Sequence, residues 1–258
     1  MFYKKLCSYL NSNTLRKIIG FIPIFLFLFI AQVSNSQENK KTSVLVVRGG
    51  HPYDTPDFEN MCNSLEGVHV DLVLDAHFKA MKLDKIKEKY TAILFLNQNK
   101  YYEESEKTKK KYVELTNEGI GMVFLHFTLS SQPNWNKYHE IIGGKWFLGS
   151  HTKDKSKVST YFIDLKVDVK VSDKKHPVTK GIKDFTMTDV FYGKIHMEPG
   201  VHVLLDSDNT DIAPIAWTQK YNKSKIVYIM PGYSKKAFEN YSYKKLISNA
   251  LKYVGYME

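Results

Sequence analysis

The sequence is poor in cysteine, and it has no apolar run of the length that a membrane-spanning helix requires. Two cysteines occur in 258 residues, Cys7 near the start and Cys62 in the body of the chain. Because Cys62 is the single cysteine after residue 36, that part of the chain forms no internal disulfide and no cluster of thiolate metal ligands. The apolar stretch at residues 18–30 has 13 residues, whereas a spanning helix needs about 20. The stability of the fold must therefore come from its packed core.

Residues 1–36 contain no acidic side chain. Four basic residues precede the apolar stretch, and Ser34 and Ser36 follow it. This pattern is typical of a signal peptide that is removed on export. We therefore predict that residues 1–36 direct the protein to the periplasm or out of the cell, and that the protein meets the membrane only through this segment. An uncleaved anchor is the alternative interpretation, whereas a lipid anchor is disfavoured because no cysteine follows the apolar stretch.

The positive charge of the chain is spread out. The formal net charge is +10, and it falls to +6 without residues 1–36. Lysine clusters such as the one at residues 107–111 are not interleaved with aromatic residues, as they are in grooves that bind single-stranded nucleic acid. We therefore expect no nucleic-acid partner. Residues 42–258 show no shift of composition that marks a second domain, so we predict a single domain there.

Apolar runs and helical patterns alternate along the first half of this domain. Because several of the runs are apolar on both faces, they indicate parallel strands covered by helices on either side. Right-handed crossovers then give an α/β fold with a mostly parallel sheet between two helix layers. The predicted strands are 43–48, 68–74, 91–96, 121–126, 159–167, 201–205, 213–217 and 225–230, and the predicted helices are 58–65, 83–89, 103–118, 134–142 and 242–253.

Four of these strands are followed by loops that contain glycine or side chains able to bind a ligand or transfer a proton. The loops contain residues 49–51, 97–100, 125–127 and 231–233. In an open α/β sheet the carboxyl ends of parallel strands border one crevice, where ligands bind. Gly49 and Gly50 allow a backbone to approach a ligand closely, so we predict that they line this site. Asn97 and Gln98 supply amides for binding hydroxyl groups.

Three histidines and one aspartate are the candidate catalytic groups. His51 follows the two glycines, His126 ends a strand where elbow motifs place a nucleophile, and His151 ends a glycine-bearing loop. An imidazole transfers protons or binds metal, and Asp189 would orient one of the rings. A divalent metal such as zinc, held by His51, His126 and His151, is thus a candidate cofactor. Their spacing differs from the compact His-Glu-x-x-His zinc motif, so the sequence leaves metal binding open.

Two aromatic residues are candidates for contact with a ligand. Trp146 lies in the loop that leads to His151, a segment long and apolar enough to cover the crevice. An indole there could stack on a sugar face or plug the edge of the core. Tyr192 follows Asp189 closely and is a further candidate.

Five motifs occur in order along the sequence, at residues 49–51, 119–126, 142–151, 176–182 and 214–218. Together they resemble the ThuA-like family, named for trehalose utilisation, within the class I glutamine amidotransferase-like superfamily. The similar region covers roughly residues 43–254. The resemblance implies a three-layer, flavodoxin-like fold and a role in sugar metabolism, often beside oxidoreductases that make keto-sugars.

The chain departs from the family pattern at three positions. Phe127 stands where relatives often have cysteine, Val190 replaces a glutamate, and Tyr233 replaces a histidine after the last strand. An amidotransferase needs that cysteine and that histidine, so we expect no glutamine hydrolysis. Tyr233 would instead donate to a sugar hydroxyl or act as a weak acid.

Three functions follow as hypotheses. The first is an exported enzyme of hydrolase, lyase or isomerase type that acts on a glycoside or keto-sugar in the crevice. The second is a carbohydrate-binding or structural member of the same fold without catalysis. The third is an envelope protein held by an uncleaved N-terminal helix. The ligand would be a small carbohydrate in each of the first two cases, and a homo-oligomer is left open.

Overall fold

Nine strands form one mixed sheet at the centre of the protein, in the order β2-β1-β3-β4-β11-β10-β9-β6-β7. The computed structural model describes residues 42–150 and 152–256. Two short strands, β5 (Gly144–Lys145) and β8 (His196–Met197), pair separately. The strands of the main sheet are β1 (Thr42–Gly49), β2 (Val68–Leu74), β3 (Ala92–Asn97), β4 (Gly121–Leu125), β6 (Thr160–Val171), β7 (Phe185–Gly193), β9 (His202–Ser207), β10 (Ala216–Tyr221) and β11 (Ser224–Ile229).

Helices connect the strands in the described ranges. They are α1 (Thr55–Asn63), α2 (Asp75–Ala80), α3 (Leu83–Lys89), α4 (Glu106–Asn117), α5 (Asn136–Ile142), α6 (Lys235–Glu239) and α7 (Tyr241–Gly255), with 3₁₀ turns at His126–Ser130, Lys155–Lys157 and Pro177–Thr179.

The two halves of the sheet differ in strand direction. Strands β2, β1, β3, β4 and β11 pair in parallel, whereas β10, β9, β6 and β7 continue the sheet in antiparallel pairs. Residues 44–47 of β1 are fully buried, as expected for a strand covered on both faces. The predicted α/β class with its parallel core is confirmed. The sequence did not predict β7, because threonines and Asp189 interrupt its apolar pattern.

Aromatic contacts mark one helix layer on each face of the sheet. On one face, Phe58 of α1 packs on Phe238 of α6 with ring centroids 5.5 Å apart. On the other face, Tyr112 of α4 lies 5.4 Å from Phe95 of β3 and 5.8 Å from Tyr138 of α5. The sheet is therefore sandwiched between helices, as predicted.

The turn after β4 has an unusual backbone. His126 has a φ angle of +48°, in the left-handed region that side chains with a Cβ seldom occupy. The strand ends at Leu125, and a 3₁₀ turn begins at His126. This is the sharp strand-to-helix turn that the sequence suggested, and it places His126 where an elbow nucleophile stands in other α/β proteins.

The N-terminal prediction concerns a part of the chain that lies outside the described residues. Residues 1–36, the predicted signal peptide, belong to that part. Within residues 42–150 and 152–256, none of the helices combines the length and the hydropathy needed to cross a bilayer.

Candidate functional site

A cavity of about 330 Å³ opens where the loops after β1, β3, β4 and β11 meet. The four strands run in the same direction, so their carboxyl ends lie at one edge of the sheet. Antiparallel strands β6 and β7 border the cavity on another side. The residues that line it are His51, Gln98, Lys100, His126, Phe127, Ser130, Trp146, Leu148, Tyr161, Ile163, Val190, Tyr192 and Tyr233.

Glycine at position 50 allows the loops after β1 and β3 to touch. The N–H of Gln98 donates to the carbonyl of Gly49 at 2.9 Å. A Cβ on Gly50 would lie only 1.9 Å from the carbonyl oxygen of Gln98, and Gly50 has a φ of +82°. Neither Gly49 nor Gly50 is among the residues that line the cavity. Their part is to set the path of the chain to His51.

His126 is buried, with only 2% of its surface exposed, and both of its ring nitrogens have partners. Nδ1 lies 2.8 Å from the carbonyl oxygen of Met230, which can only accept, so Nδ1 carries the proton. Nε2 then accepts from the hydroxyl of Tyr192 at 3.0 Å. Burial lowers the pKa of His126 to about 4, against the opposing pull of the negative Asp189. The ring is therefore neutral at neutral pH, with no nitrogen left for a ligand.

In contrast to His126, His51 has a hydrogen-bond partner at only one of its two ring nitrogens in the described part of the chain. Its ring stacks on Phe127, with centroids 4.9 Å apart and planes inclined by 26°. Nδ1 donates to the carbonyl of Pro52 at 2.7 Å. Nε2 has no hydrogen-bond partner in the described part of the chain, so it is the ring nitrogen that His51 offers to a ligand in the cavity.

Asp189 holds a loop in place. Its carboxylate, 1% exposed, accepts from the main-chain N–H groups of Gly232 at 2.6 Å, Tyr233 at 3.1 Å and Ser234 at 3.0 Å. Within the described ranges no imidazole donates to it. The sequence analysis predicted that Asp189 orients a histidine ring. The structure instead shows the carboxylate bonded to main-chain N–H groups. The carboxylate instead fixes the loop that presents Tyr233 to the cavity.

Three aromatic side chains predicted to contact a ligand line the cavity together. Trp146 packs edge-on against Tyr192 with centroids 4.7 Å apart, and Tyr192 stacks on His126 at 4.8 Å. The ring of Tyr233 lies 6.2 Å from that of His51 and 5.8 Å from that of His126. Burial raises the pKa of Tyr192 well above its usual range, and the negative charge of Asp189 adds to the shift. Tyr192 is therefore a neutral hydroxyl that donates inward and keeps its oxygen lone pairs for a ligand.

The two amides after β3 have different environments. Gln98 lines the cavity, and its Nε2 donates to Ser130 Oγ at 2.5 Å. Asn97, by contrast, is buried beneath the loop, where its Nδ2 donates to Asp75 Oδ1 at 2.8 Å. Asn97 does not line the cavity, because it is the last residue of β3 and its side chain faces the helix layer. The predicted hydroxyl-binding role thus fits the position of Gln98 and not that of Asn97.

Sequence reasoning missed the side of the cavity formed by β6. Tyr161 and Ile163 are 61% and 65% exposed, and both line the cavity. The register of β6 against β7 shifts between Phe162 and Leu165, and such bulges often redirect side chains next to functional sites. The alternation of residue types in the sequence predicted a strand here. It could not predict the bulge, because one extra residue leaves no mark in that alternation.

The metal hypothesis has little support in the described residues. In residues 42–150 and 152–256, no group of three or more His, Cys, Asp or Glu side chains is arranged to hold a metal ion. His151 lies outside these residues, so its predicted role stays a prediction. His126 does not fit a metal ligand, since both of its nitrogens are bonded to protein groups.

Solved structures share this fold at low sequence identity. A ThuA-like protein from Parabacteroides merdae has a TM-score of 0.67 and 16% identity, over 84% of this chain and 90% of its own. A cytoplasmic protein from Salmonella typhimurium has a TM-score of 0.61 and 12% identity, over 83% of this chain and 99% of its own. PurLQS from Thermotoga maritima has a TM-score of 0.53 and 15% identity, with coverage of 83% and 99%.

A comparison with curated protein sequences gives no significant match. The model of the ThuA family, described as trehalose utilisation, matches residues 43–254. That region contains the strands and helices described above except the first residue of β1 and the last residue of α7, and the match agrees with the motifs noted in the sequence. The chain therefore belongs to the ThuA family of trehalose utilisation.

Proposed function

We propose that this protein binds a trehalose-type or keto-sugar carbohydrate in the cavity and that His51 transfers a proton on it. One observation carries the proposal: Nε2 of His51 is without a protein partner in the described chain, and the ring lines a cavity of about 330 Å³. Aromatic rings beside it provide flat surfaces for a sugar. Tyr192, Tyr233 and Gln98 provide the polar atoms that bind hydroxyls.

The residues of the cavity favour proton transfer at carbon over glycoside hydrolysis. Most glycosidases use two carboxyl groups on either side of the scissile bond. In the part of the chain that the structure describes, the residues that line this cavity include no aspartate or glutamate. A single base with nearby hydroxyl donors suits removal of a proton next to the carbonyl of a keto-sugar, because the donors stabilise the oxygen that gains negative charge. In this scheme His51 is the base and Tyr233 donates to the carbonyl oxygen.

Hydrogen exchange tests this scheme. Keto-sugars of the glucose and trehalose type are incubated with the protein in D2O, and deuterium at the carbon beside the carbonyl is followed by NMR. We expect exchange with the natural protein and a loss of at least about 100-fold in His51→Gln. His202→Gln is the matched control, because His202 lies outside the cavity and pairs with Asp173 at 2.9 Å. Equal exchange in all three proteins would reject the role of His51.

A second candidate function is binding of a carbohydrate without catalysis. It is favoured by the hydrogen bonds of His126, which occupy both ring nitrogens and leave one free imidazole in the described part of the cavity. In this case calorimetry detects binding of a sugar by the natural protein, and no deuterium enters any sugar of the panel.

Glutamine hydrolysis is not part of the proposed function. The turn after β4 has His126 and Phe127 where an amidotransferase needs its nucleophilic cysteine. We expect no glutamate to be released when the protein is incubated with glutamine, and its release would contradict this part of the proposal.

We also propose that residues 1–36 direct export. The support is the basic start and the short apolar stretch at residues 18–30. Mass spectrometry of protein from the native cell is expected to give a mature chain that begins at Gln37. A chain that still contains residues 18–30 would favour the uncleaved anchor.

A further inference from the structure

The loop after β3 places a lysine side chain, Lys100, at the border of the cavity. Lys100 lines the cavity next to Gln98, and its side chain is half-buried. Its Nζ lies 5.1 Å from the ring centroid of Tyr101. In the described chain no carboxylate lies within ion-pair distance of this nitrogen, because the nearby acids are paired elsewhere. Glu104 pairs with Lys79 and Glu103 pairs with Lys109.

Among the described residues that line the cavity, no aspartate or glutamate balances the charge of Lys100. The buried carboxylate of Asp189 already accepts three main-chain N–H groups. A half-enclosed, mainly apolar cavity focuses the field of an unpaired cation. It therefore favours an anionic ligand over a neutral one of the same shape.

We propose that the carbohydrate bound here carries one carboxylate, as aldonic and uronic acids do, and that Lys100 binds this carboxylate. The inference rests on the proposed carbohydrate site and names its substrate class. A carboxylate fits better than a phosphate, because a phosphate carries nearly two negative charges and is usually bound by several donors or by arginine. Of the described residues, one lysine and no arginine line the cavity.

Calorimetry with four ligands, and with trehalose as a fifth, tests the inference on the whole protein. The ligands are D-gluconate, D-glucuronate, neutral D-glucose and D-glucose 6-phosphate, at low salt. Lys100→Met removes the charge and keeps the length of the side chain. Lys107→Met is the matched control, because Lys107 is an exposed lysine of α4, outside the cavity. Trehalose is included to test the carbohydrate site itself.

The expected result is that one of the two acids binds at least about tenfold more tightly than glucose, the effect of one charge-assisted hydrogen bond. Lys100→Met should abolish this preference and Lys107→Met should keep it. If glucose or trehalose binds as tightly as the acids, or if the preference survives in Lys100→Met, the inference is wrong and the carbohydrate site stands. Tighter binding of glucose 6-phosphate than of either acid would overturn the carboxylate assignment. If none of the five ligands binds, the inference is wrong, and if the keto-sugars of the exchange experiment also fail to bind, the proposed function itself fails.

Discussion

Asp189 is the single residue on which the loop after β11 depends most. Its carboxylate accepts from three main-chain N–H groups and is almost fully buried. In Asp189→Asn the amide nitrogen would face N–H donors that have lost their charged acceptor. We expect the free energy of unfolding to fall by about 3 kcal/mol, because buried charge-assisted hydrogen bonds are lost. Urea unfolding at pH 7 measures this change.

An exposed aspartate provides the control for this variant. Asp168 accepts from the hydroxyl of Thr186 at 2.6 Å on the solvent side of β6. Asp168→Asn is expected to change the free energy of unfolding by less than about 0.5 kcal/mol. Equal effects of the two substitutions would show that Asp189 does not support the loop in the way described.

His139 makes the stability of the protein depend on pH. The side chain is 2% exposed, and no hydrogen bond of normal geometry reaches either ring nitrogen in the described chain. Burial lowers its pKa to about 4, and repulsion from Lys145 adds to this shift, although the carbonyl of Pro133 lies close enough to oppose it. The unfolded chain takes up a proton near pH 6.5, whereas the folded protein does so only near pH 4. Stability is therefore fully present above about pH 6.5 and falls as the pH drops toward 4.

A leucine at this position isolates the contribution of His139. Leucine has a similar volume and needs no hydrogen bond, so we expect His139→Leu to be at least as stable as the natural protein at pH 7.5. Its advantage should grow by about 2 kcal/mol at pH 5, since each pKa unit corresponds to about 1.4 kcal/mol. Urea unfolding of both proteins at the two pH values gives the difference. An advantage that stays constant with pH would contradict the account.

At the scale of secondary-structure elements, the contact between the β1 and β3 loops gives a further prediction. Gly50 and Gly200 have similar φ angles, +82° and +86°, but a Cβ on Gly200 would meet nothing within 4 Å. Both substitutions by alanine cost about 1 kcal/mol for the backbone conformation. Gly50→Ala also forces the Gln98 carbonyl away, which adds about 1–3 kcal/mol.

Thermal unfolding and sugar binding together test this comparison. We expect Gly50→Ala to unfold at a lower temperature than Gly200→Ala, and to bind sugars more weakly because His51 is displaced. Equal melting temperatures for the two variants would mean that the loops after β1 and β3 can separate without cost.

Strands β1 and β3 show what could be predicted from the sequence. Residues 44–47 and 92–96 are apolar on both faces, so their strands and the convergence of the following loops could be predicted. His51, Gln98, Trp146, Tyr192 and Tyr233 accordingly line one cavity. The bulge in β6 could not be predicted, because one extra residue changes the direction of side chains without changing the alternation of residue types.

The hydrogen-bond partners of His126 and Asp189 could not be predicted from the sequence either. The carbonyl of Met230 fixes the tautomer of His126, and it is separated from that ring by 104 positions along the chain. The partners of Asp189 are main-chain groups, which no choice of side chain reveals. The position of His126 at the cavity could therefore be predicted, whereas its tautomer and the partners of Asp189 required the three-dimensional contacts.

At the scale of the whole molecule, the proposed carbohydrate site lies at one edge of the sheet, where the parallel strands end. The histidines of the described chain provide internal probes for this claim. His51 and His126 lie at the cavity, whereas His69 lies on β2 and His202 begins β9, both in exposed positions away from it.

The most direct measurement is an NMR titration of the imidazole resonances, assigned by single histidine substitutions, with a panel of neutral, keto and acidic sugars. We predict saturable shifts of the His51 and His126 resonances with at least one sugar, and unchanged resonances of His69 and His202. Saturable binding of a sugar that moves only His69 or His202, or that leaves His51 and His126 unchanged, would contradict the assignment of the cavity as the carbohydrate site.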